Sequence, residues 1–336
     1  MGLENNALQC IGPAKPTKIA NTTAVAGNQV WWSATNTSGT FQWGWRSPDE
    51  VTYTALGVKH RQLQTEERLM FLARPGGIEV LSYWYLSPRL TPATLHPPRI
   101  VSFGNGTRGP SGTISALSSL DAGGGVYAAE QGRIWWIPVV RPLTAFPPDN
   151  ANATMIAQLG GVIQAIWTVE NTQTLYVAEW FNSSNNIRKY TISNRALQNP
   201  KTAPLIAINS TVYPNPPTDR PVISCILSHP RTQDVYVGMY GAGGILIYDS
   251  KGDMKAQVMT TFINVLSMEI DNDGTMLYIS GDDGAGSGSL DSLNLKLLGL
   301  SDRSIAELAT SDGAKFSSLN VLLLISLAAM GILYLG

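Results

Sequence analysis

Short apolar segments with a central aromatic residue recur along the chain, separated by polar or glycine-rich turns. Four of them are centred on a tyrosine and two weaker ones on a tryptophan or a phenylalanine. Short apolar runs bounded by turn formers are typical of β-strands, and no helical period runs through the body of the chain. The segments are residues 126–128, 175–177, 235–237, 277–279, 30–32 and 70–72.

Each clear segment has the same surroundings. An apolar stretch precedes it, as in residues 161–166 and 221–226, and a polar turn such as residues 170–173 joins the two. Another apolar stretch follows after a turn, as in residues 186–192. The central aromatic residues recur at intervals of about 40 to 60 residues. This interval is the length of one four-stranded propeller blade with its loops, whereas a β-sandwich needs no self-similar units. The repeat predicts an all-β fold, a β-propeller with six blades, or seven if one blade is split between the ends.

Two phrases, residues 174–192 and 234–250, resemble β-propeller repeats of the NHL, YVTN and SMP-30/gluconolactonase type. The resemblance implies a ring of blades, each burying two apolar faces against its neighbours. Lactonases of the SMP-30 type use acidic and asparagine metal ligands from several blades. That full set is not found in this sequence, so the resemblance implies the fold and not the activity.

The C-terminal segment differs from the body. Residues 321–336 are an uncharged apolar run, which follows a polar spacer at 315–320 and a cluster of small residues at 311–314. This order is the pattern of a glycosylphosphatidylinositol (GPI) attachment signal. We expect attachment at Ser311 or Asp312 and removal of the apolar tail. A C-terminal membrane helix is the alternative.

The N-terminal segment has a different character. Residues 1–20 contain no apolar core of a signal peptide, although a GPI-anchored protein must enter the endoplasmic reticulum. We therefore expect the native chain to begin upstream of Met1. The sequence then divides into an N-terminal arm (1–15), a propeller (16–310) and the attachment signal (311–336).

Six Asn-x-Ser/Thr sequons occur, and each is a glycosylation site only in the secretory route. Together with the C-terminal signal they predict an extracellular glycoprotein that a lipid anchors to the outer leaflet of the plasma membrane. The net charge of −1 and the lack of a basic block give no electrostatic footprint for nucleic acid. The sequons begin at Asn21, Asn36, Asn105, Asn152, Asn182 and Asn209.

The two cysteines are Cys10 and Cys225. Two cysteines are too few for a disulfide scaffold, and their spacing fits no metal motif. In an oxidising compartment they would pair and tie the N-terminal arm to the body. Two independent thiols are the alternative.

Glu130 and Glu179 occupy the same place in two repeats, three residues after the central tyrosine. Two matched carboxylates facing a common channel would bind a metal or act as acid and base. Alternatively, each caps a turn by accepting backbone N–H bonds. Other repeats carry Ala34, Met239 and Gly281 there, so the sequence predicts no ring of acidic residues.

Asp271, Asp273, Asp282 and Asp283 lie in loops rich in oxygen ligands, the kind that calcium prefers. Neither loop continues into an EF-hand pattern, and Asp-Gly is also an ordinary hairpin signal. Calcium is therefore the only cofactor that the sequence suggests. No Gly-x-Ser-x-Gly motif is present, and the sequence singles out no catalytic residues.

Aromatic residues are denser than a propeller core requires. Directly neighbouring residues in a strand point to opposite faces, so each adjacent doublet is expected either to expose one ring for protein or glycan binding or to pack it on a neighbouring blade. We expect a GPI-anchored surface binding module, with an SMP-30-like metal-dependent hydrolase and a cell-coat component as alternatives. The aromatic clusters are Trp31-Trp32, Trp43 with Trp45, Tyr83-Trp84-Tyr85 and Trp135-Trp136.

Overall fold

The computed structural model describes the strands of the body and the shorter turns between them. Almost all of these residues lie in β-strands, which pair antiparallel in six sheets. The described residues are 6–11, 29–36, 39–46, 55–59, 67–84, 99–102, 109–120, 125–138, 153–169, 172–198, 203–208, 222–260, 263–270, 274–282 and 288–296.

The sheets are numbered as blades 1 to 6 in chain order. Blade 1 contains β1 (Asn6–Ile11), β2 (Gln29–Asn36) and β3 (Gly39–Arg46). Blade 2 contains β4 (Ala55–Lys59), β5 (Glu67–Arg74), β6 (Gly77–Trp84) and β7 (Arg99–Ser102). Blade 3 contains β8 (Ile114–Leu120), β9 (Gly125–Glu130), β10 (Arg133–Pro138) and β11 (Thr154–Gln158).

The second half of the chain repeats this plan. Blade 4 contains β12 (Val162–Val169), β13 (Thr174–Phe181), β14 (Ser184–Ser193) and β15 (Ala196–Gln198), with β16 (Ile206–Ile208) also paired to β14. Blade 5 contains β17 (Val222–Ser228), β18 (Val235–Tyr240), β19 (Gly244–Tyr248) and β20 (Met254–Met259). Blade 6 contains β21 (Asn264–Ile270), β22 (Met276–Asp282) and β23 (Gly288–Asn294).

The first strands of successive blades contact one another around an axis. β4 contacts β8, β8 contacts β12, β12 contacts β17 and β17 contacts β21, while β1 contacts both β4 and β21. This arrangement is a β-propeller, as the repeat predicted. Residues 6–11, within the segment expected to be an N-terminal arm, pair with β2. Side chains are described most completely in blades 3 to 6, and the candidate binding surface lies on three of these blades.

The core consists of apolar clusters between consecutive blades. In β13, Leu175 and Val177 pack towards blade 3, whereas Tyr176 and Ala178 pack towards blade 5. This alternation follows from the two-residue period of a strand, which gives every blade two apolar faces. The central tyrosines fill these wedges, since Tyr127, Tyr176 and Tyr236 are at most 2% exposed. Equivalent clusters lie between blades 2 and 3 and between blades 5 and 6.

The first strands of blades 3 to 6 share a β-bulge near their start. In each strand one extra residue interrupts the register with the second strand at the same place. A bulge redirects a side chain and locally breaks the ladder. Its recurrence shows that the repeat extends to an irregularity of the backbone. The bulged residues are Ser115, Gln164, Ser224 and Leu266.

Three of these bulged residues connect their blade to the next one. Ser115 Oγ donates to the carbonyl of Ile163 at 2.9 Å, and Gln164 Oε1 accepts from the amide of Ile223 at 3.2 Å. Ser224 Oγ donates to the carbonyl of Val265 in the same manner. Each acceptor or donor on the next blade belongs to the residue just before that blade's own bulge. The bonds therefore link the backbones of four first strands around the axis.

Candidate binding surface

One end of the propeller, named here the upper end, carries the starts of the first strands. Because Ile163 pairs with Glu179 and Ile223 pairs with Met239, each first strand begins beside the end of the second strand. The turns between second and third strands therefore lie at this end as well. Loops at one end of a rigid ring are where propellers and other scaffolds carry variable functional groups.

Large apolar side chains are exposed at the upper end of blades 4 to 6. Val162, Tyr240 and Ile263 are 50%, 45% and 48% exposed. Val162 pairs with half-buried Trp180, and Tyr240 pairs with Val222 at the equivalent place one blade further on. We name Val162, Trp180, Tyr240 and Ile263 the upper apolar surface. Contiguous exposed apolar patches mark interaction sites, whereas single exposed residues are ordinary; these four residues are the candidate because they share one end of consecutive blades.

A hydrogen-bond network fixes the backbone beneath this surface. The amide of Gly241, next to Tyr240, donates to Asn264 Oδ1 at 2.9 Å, and Asn264 Nδ2 donates to Asp282 Oδ1 at 2.6 Å. The carbonyl of Ile263 accepts from the amide of Gly243 at 2.8 Å, and the amide of Ile263 donates to the carbonyl of Asp282. Tyr240 and Ile263 are thus presented by a preorganised part of blades 5 and 6.

Glu130 is buried and holds a loop of its own blade. Its Oε1 accepts from the amide of Ser111 at 2.8 Å and from the amide of Gly112, while its Oε2 accepts from Trp135 Nε1 at 3.0 Å. A Cβ at position 112 would lie 2.9 Å from Oε1, so a larger residue there would displace the carboxylate from this loop. The carboxylate is turned towards backbone donors, which is the turn-capping arrangement that the sequence offered as the alternative to chemistry.

Glu179 is fully buried between blades 3 and 4 and forms an ion pair. Its Oε1 accepts from Arg188 Nε at 2.5 Å. Its Oε2 has no hydrogen-bond partner among the described residues. Glu130 and Glu179 therefore keep equivalent places in the repeat but are bound to different partners on the third strand.

The same diagonal contact recurs in blade 2 with the charges exchanged. Arg74 Nη1 lies 3.3 Å from Glu79 Oε2, with the glutamate on the third strand. In each blade the contact runs diagonally between the second and third strands. The third-strand residue stands opposite the second-strand residue that lies two positions before the one it contacts. Long side chains reach across such diagonals. The diagonal contact therefore recurs at the same position in three blades, as an Arg–Glu pair in blade 2, a Glu–Trp pair in blade 3 and a Glu–Arg pair in blade 4.

Asp282 is the one predicted calcium ligand that the structure describes. Its carboxylate accepts from the amide group of Asn264, whose own oxygen is directed to Gly241. Calcium needs converging oxygens, and Asn264 presents nitrogen to Asp282. Among the described residues no group of three acidic, histidine or cysteine side chains converges. Asp271, Asp273 and Asp283 lie outside the described residues.

The two cysteines lie in first strands. Cys225 is in β17, half-buried, with its Sγ 3.7 Å from Ser224 Oγ. Cys10 is in β1, opposite Trp31, and its side chain lies outside those that the structure describes. β21 contacts both of these strands. The Cys10–Cys225 disulfide stays a prediction.

Asn182 is the sequon residue whose side chain the structure describes, and it is exposed in the turn between β13 and β14. Asn36 ends β2, and its side chain is not described. Asn21, Asn105, Asn152 and Asn209 lie outside the described residues, as do Ser311, Asp312 and the whole segment 311–336. Among the residues that are described, no helix has the length and apolar character needed to cross a membrane.

One aromatic pair is described in full. Trp136 is 4% exposed and packs on Tyr127 with ring centroids 4.9 Å apart, whereas Trp135 is half-buried and donates to Glu130. The two rings lie on opposite faces of blade 3, and Trp135 packs against the apolar cluster between blades 2 and 3, so neither ring is exposed as expected. The exposed apolar groups lie instead at strand ends. Their residue types gave no sign of this, because neither Val162 nor Tyr240 stands out from the strand pattern around it.

Buried tyrosines have raised pKa values. Burial raises the pKa of Tyr127 to about 12, against a lowering influence of Arg195. Burial likewise raises the pKa of Tyr190 to about 12, with Arg188 lowering it and Glu179 raising it further. The pKa of Tyr236 is also raised, chiefly by burial. These phenols are neutral at physiological pH, their hydroxyls have no hydrogen-bond partner among the described residues, and their rings fill the wedges between blades.

Comparison with solved structures agrees with the fold. A luciferin-regenerating enzyme superposes with a TM-score of 0.53 at 8% identity, covering 86% of this chain and 95% of that one. A nidogen/laminin complex gives 0.49 at 9% identity over 86% and 94% of the two chains. A putative 6-phosphogluconolactonase from Bacteroides uniformis gives 0.46 at 12% identity over 87% and 97%.

The fold and the comparison define the class of the protein: it is a β-propeller built from diverged repeats. Likeness at 8% identity shows the fold alone. No protein-family model matches the chain, and no curated protein matches it.

Proposed function

We propose that the protein is a GPI-anchored extracellular propeller that binds a protein or glycan through its upper apolar surface. The observation that carries this proposal is the exposure of Val162, Tyr240 and Ile263 at one end of three consecutive blades. Aromatic and aliphatic groups on a preformed surface supply contact area at little entropic cost. The Asn264 network below them provides that preorganisation.

The arrangement of the carboxylates favours binding over hydrolysis. Glu130 is bound to two backbone amides and an indole, and Glu179 is paired with Arg188. The bulged residues of the first strands in blades 3 to 6 are serine, glutamine, serine and leucine, all uncharged. A lactonase-like metal site needs carboxylates directed towards a shared ion, whereas Glu130, Glu179 and Asp282 are directed towards partners of their own blade.

The location at the cell surface is supported by the sequence and by one structural detail. The sequons and the order of small residues, polar spacer and apolar tail belong to a chain that passes through the secretory route. Asn182 is exposed in its turn and therefore accessible for a glycan. A lipid on the C-terminal side would leave the propeller outside the cell, where its ends can meet a partner.

Substitution of the exposed ring tests the binding role. Tyr240→Ser is expected to weaken binding of the cell-released protein to a panel of extracellular proteins and glycans about tenfold, which corresponds to about 1.4 kcal/mol. Met254→Ser is the matched control, because Met254 is 55% exposed in the outer strand of the same blade. Dissociation constants measured by surface plasmon resonance distinguish the two.

The proposal predicts a loss for Tyr240→Ser and an unchanged dissociation constant for Met254→Ser. If both variants and the wild type bound every ligand found with equal affinity, the upper apolar surface would not be the binding site. Thermal unfolding of each variant ensures that weaker binding is not caused by loss of the fold.

A further inference from the structure

The hairpin between β13 and β14 has the tightest turn that two strands allow. β13 ends at Phe181 and β14 begins at Ser184, so that Asn182 and Ser183 alone form the turn. Both have positive φ angles, 50° and 59°, as a type I′ turn requires. Both are exposed, and the turn lies at the upper end beside Trp180.

This turn is also a glycosylation sequon with an aromatic residue directly before it. Phe181 stands opposite Ser184 in the register, and Ser184 is the hydroxyl residue of the sequon Asn182-Ser183-Ser184. Directly opposed residues of an antiparallel pair share one face of the sheet with their Cβ atoms roughly 5 Å apart. A ring, a hydroxyl and the acceptor asparagine are thus adjacent in a single turn.

The surroundings hold the Phe181 ring in place. A Cβ on Gly160 would lie 2.8 Å from Phe181 Cε2, and one on Gly161 would lie 2.9 Å from Phe181 Cβ. The ring therefore rests against the two glycines that precede β12, while the residue remains half-buried. On the other side of the turn, Asn186 Nδ2 donates to the carbonyls of Phe181 and Ser184 at 3.3 and 3.4 Å.

We propose that Asn182 carries an N-linked glycan whose first N-acetylglucosamine packs on the Phe181 ring and stabilises blade 4. The donor is a lipid-diphosphate-linked oligosaccharide. Asn182 Nδ2 forms a bond to C1 of the sugar, the bond from C1 to the diphosphate oxygen breaks, the lipid diphosphate leaves, and the amide loses one proton.

The chemistry of the turn fits this role. One face of the sugar ring is lined by C–H groups, which pack on the negative face of an aromatic ring. The β-turn fixes Phe181 and Asn182 before the sugar arrives, so little conformational entropy is lost in making the contact. The inference rests on the secretory route contained in the proposed function, and it makes the glycan a structural part of the upper end.

The test uses the full chain behind a cleavable signal peptide, secreted or displayed by cultured animal cells. Mass spectrometry of glycopeptides measures occupancy at Asn182. Unfolding temperatures are then compared for three forms: intact glycans, glycans trimmed by an endoglycosidase to one sugar, and glycans removed by peptide N-glycosidase. The same three forms of Phe181→Leu are the control, because this change keeps an apolar side chain and removes the ring.

We expect Asn182 to carry a glycan. Trimming the glycans to one sugar should leave the unfolding temperature unchanged. Complete removal should lower it by about 1 to 2 °C, the shift that a loss of about 1 kcal/mol causes in a propeller of this size. In Phe181→Leu the difference between trimmed and sugar-free protein should disappear. Glycans at other sequons contribute equally to both proteins and cancel in this comparison.

Three results would overturn the proposal: an unoccupied Asn182, an equal loss of stability on removal in both proteins, or a wild-type protein that is insensitive to removal. Should Phe181→Leu fail to fold, Asn182→Gln is the second control: it lacks this glycan alone, so the loss of unfolding temperature on sugar removal should be larger in the wild type than in Asn182→Gln. The added signal peptide makes the result independent of the GPI anchor and of ligand binding, which are measured separately.

Discussion

Glu130 and Glu179 show how one place in a repeat serves two stabilising roles. Glu130 satisfies the amides of a loop, and Glu179 neutralises Arg188 between two blades. Both are buried, so each depends on its partners to offset the cost of removing a charge from water. The sequence singled out both residues correctly as a matched pair, but spacing alone did not distinguish a capping carboxylate from a catalytic one.

Glu130→Gln should lower the free energy of unfolding by about 1 to 3 kcal/mol. The amide group of glutamine replaces one acceptor oxygen by a donor, which leaves either the loop amides or the Trp135 indole without its acceptor. Urea denaturation measures the loss. Asp253→Asn, at an exposed turn residue of blade 5, is the control and should change stability by less than about 0.5 kcal/mol. Equal effects of the two changes would contradict the role assigned to Glu130.

Tyr190 predicts a dependence of stability on alkaline pH. Its pKa is about 12 in the folded chain and about 10 in an unfolded one, so folding favours the neutral phenol. The contribution is present below pH 10 and is lost as the pH rises from 10 to 12. Between pH 10 and pH 12 the free energy of unfolding of Tyr190→Phe should therefore fall by about 2 kcal/mol less than that of the wild type.

At pH 7 the same variant should be as stable as the wild type or slightly more stable. The Tyr190 hydroxyl is buried without a hydrogen-bond partner among the described residues, so its removal relieves an unsatisfied group. Denaturation curves at pH 7, 10 and 11.5 provide the measurement. Parallel curves for both proteins at all three values would show that Tyr190 does not titrate differently on folding.

At the scale of elements, the bulged first strands connect the blades. Ser115→Ala and Ser224→Ala each remove a hydrogen bond to the next blade, and each should cost about 1 kcal/mol. The two sites lie in different blade interfaces, so the double variant should show the sum. Ser193→Ala, at the exposed end of β14, is the control. Chemical denaturation of the four variants decides, and losses no larger than that of the control would refute the linking role.

The strands that could be predicted are those whose pattern is local. Residues 175–177 and 235–237 predict buried second strands because in each an aromatic residue lies between two aliphatic ones. The bulges at Ser115 and Gln164 could not be predicted, because a bulge is a mismatch between two strands and not a property of either one. The upper apolar surface was missed for a related reason: the exposure of Tyr240 depends on where its strand ends.

Across the described residues, blades 2 to 6 cover one another through apolar clusters, and the first strands of all six blades contact their neighbours around the axis. No blade hides both of its apolar faces alone, so closure of the ring is what stabilises each sheet. Prediction of this level succeeded because it needed only the repeat length and the strand pattern. The metal site, the disulfide and the lipid anchor remain predictions, since each depends on residues whose placement lies largely outside the described part of the chain.

Treatment of intact cells with phosphatidylinositol-specific phospholipase C tests the central claim most directly. The protein is expressed behind a cleavable signal peptide, and release into the medium is followed by mass spectrometry of its C-terminal peptide. The account predicts release of a folded propeller that ends at Ser311 or Asp312 with a remnant of the anchor attached. A protein that stays on the cells and yields peptides from residues 321–336 would contradict it.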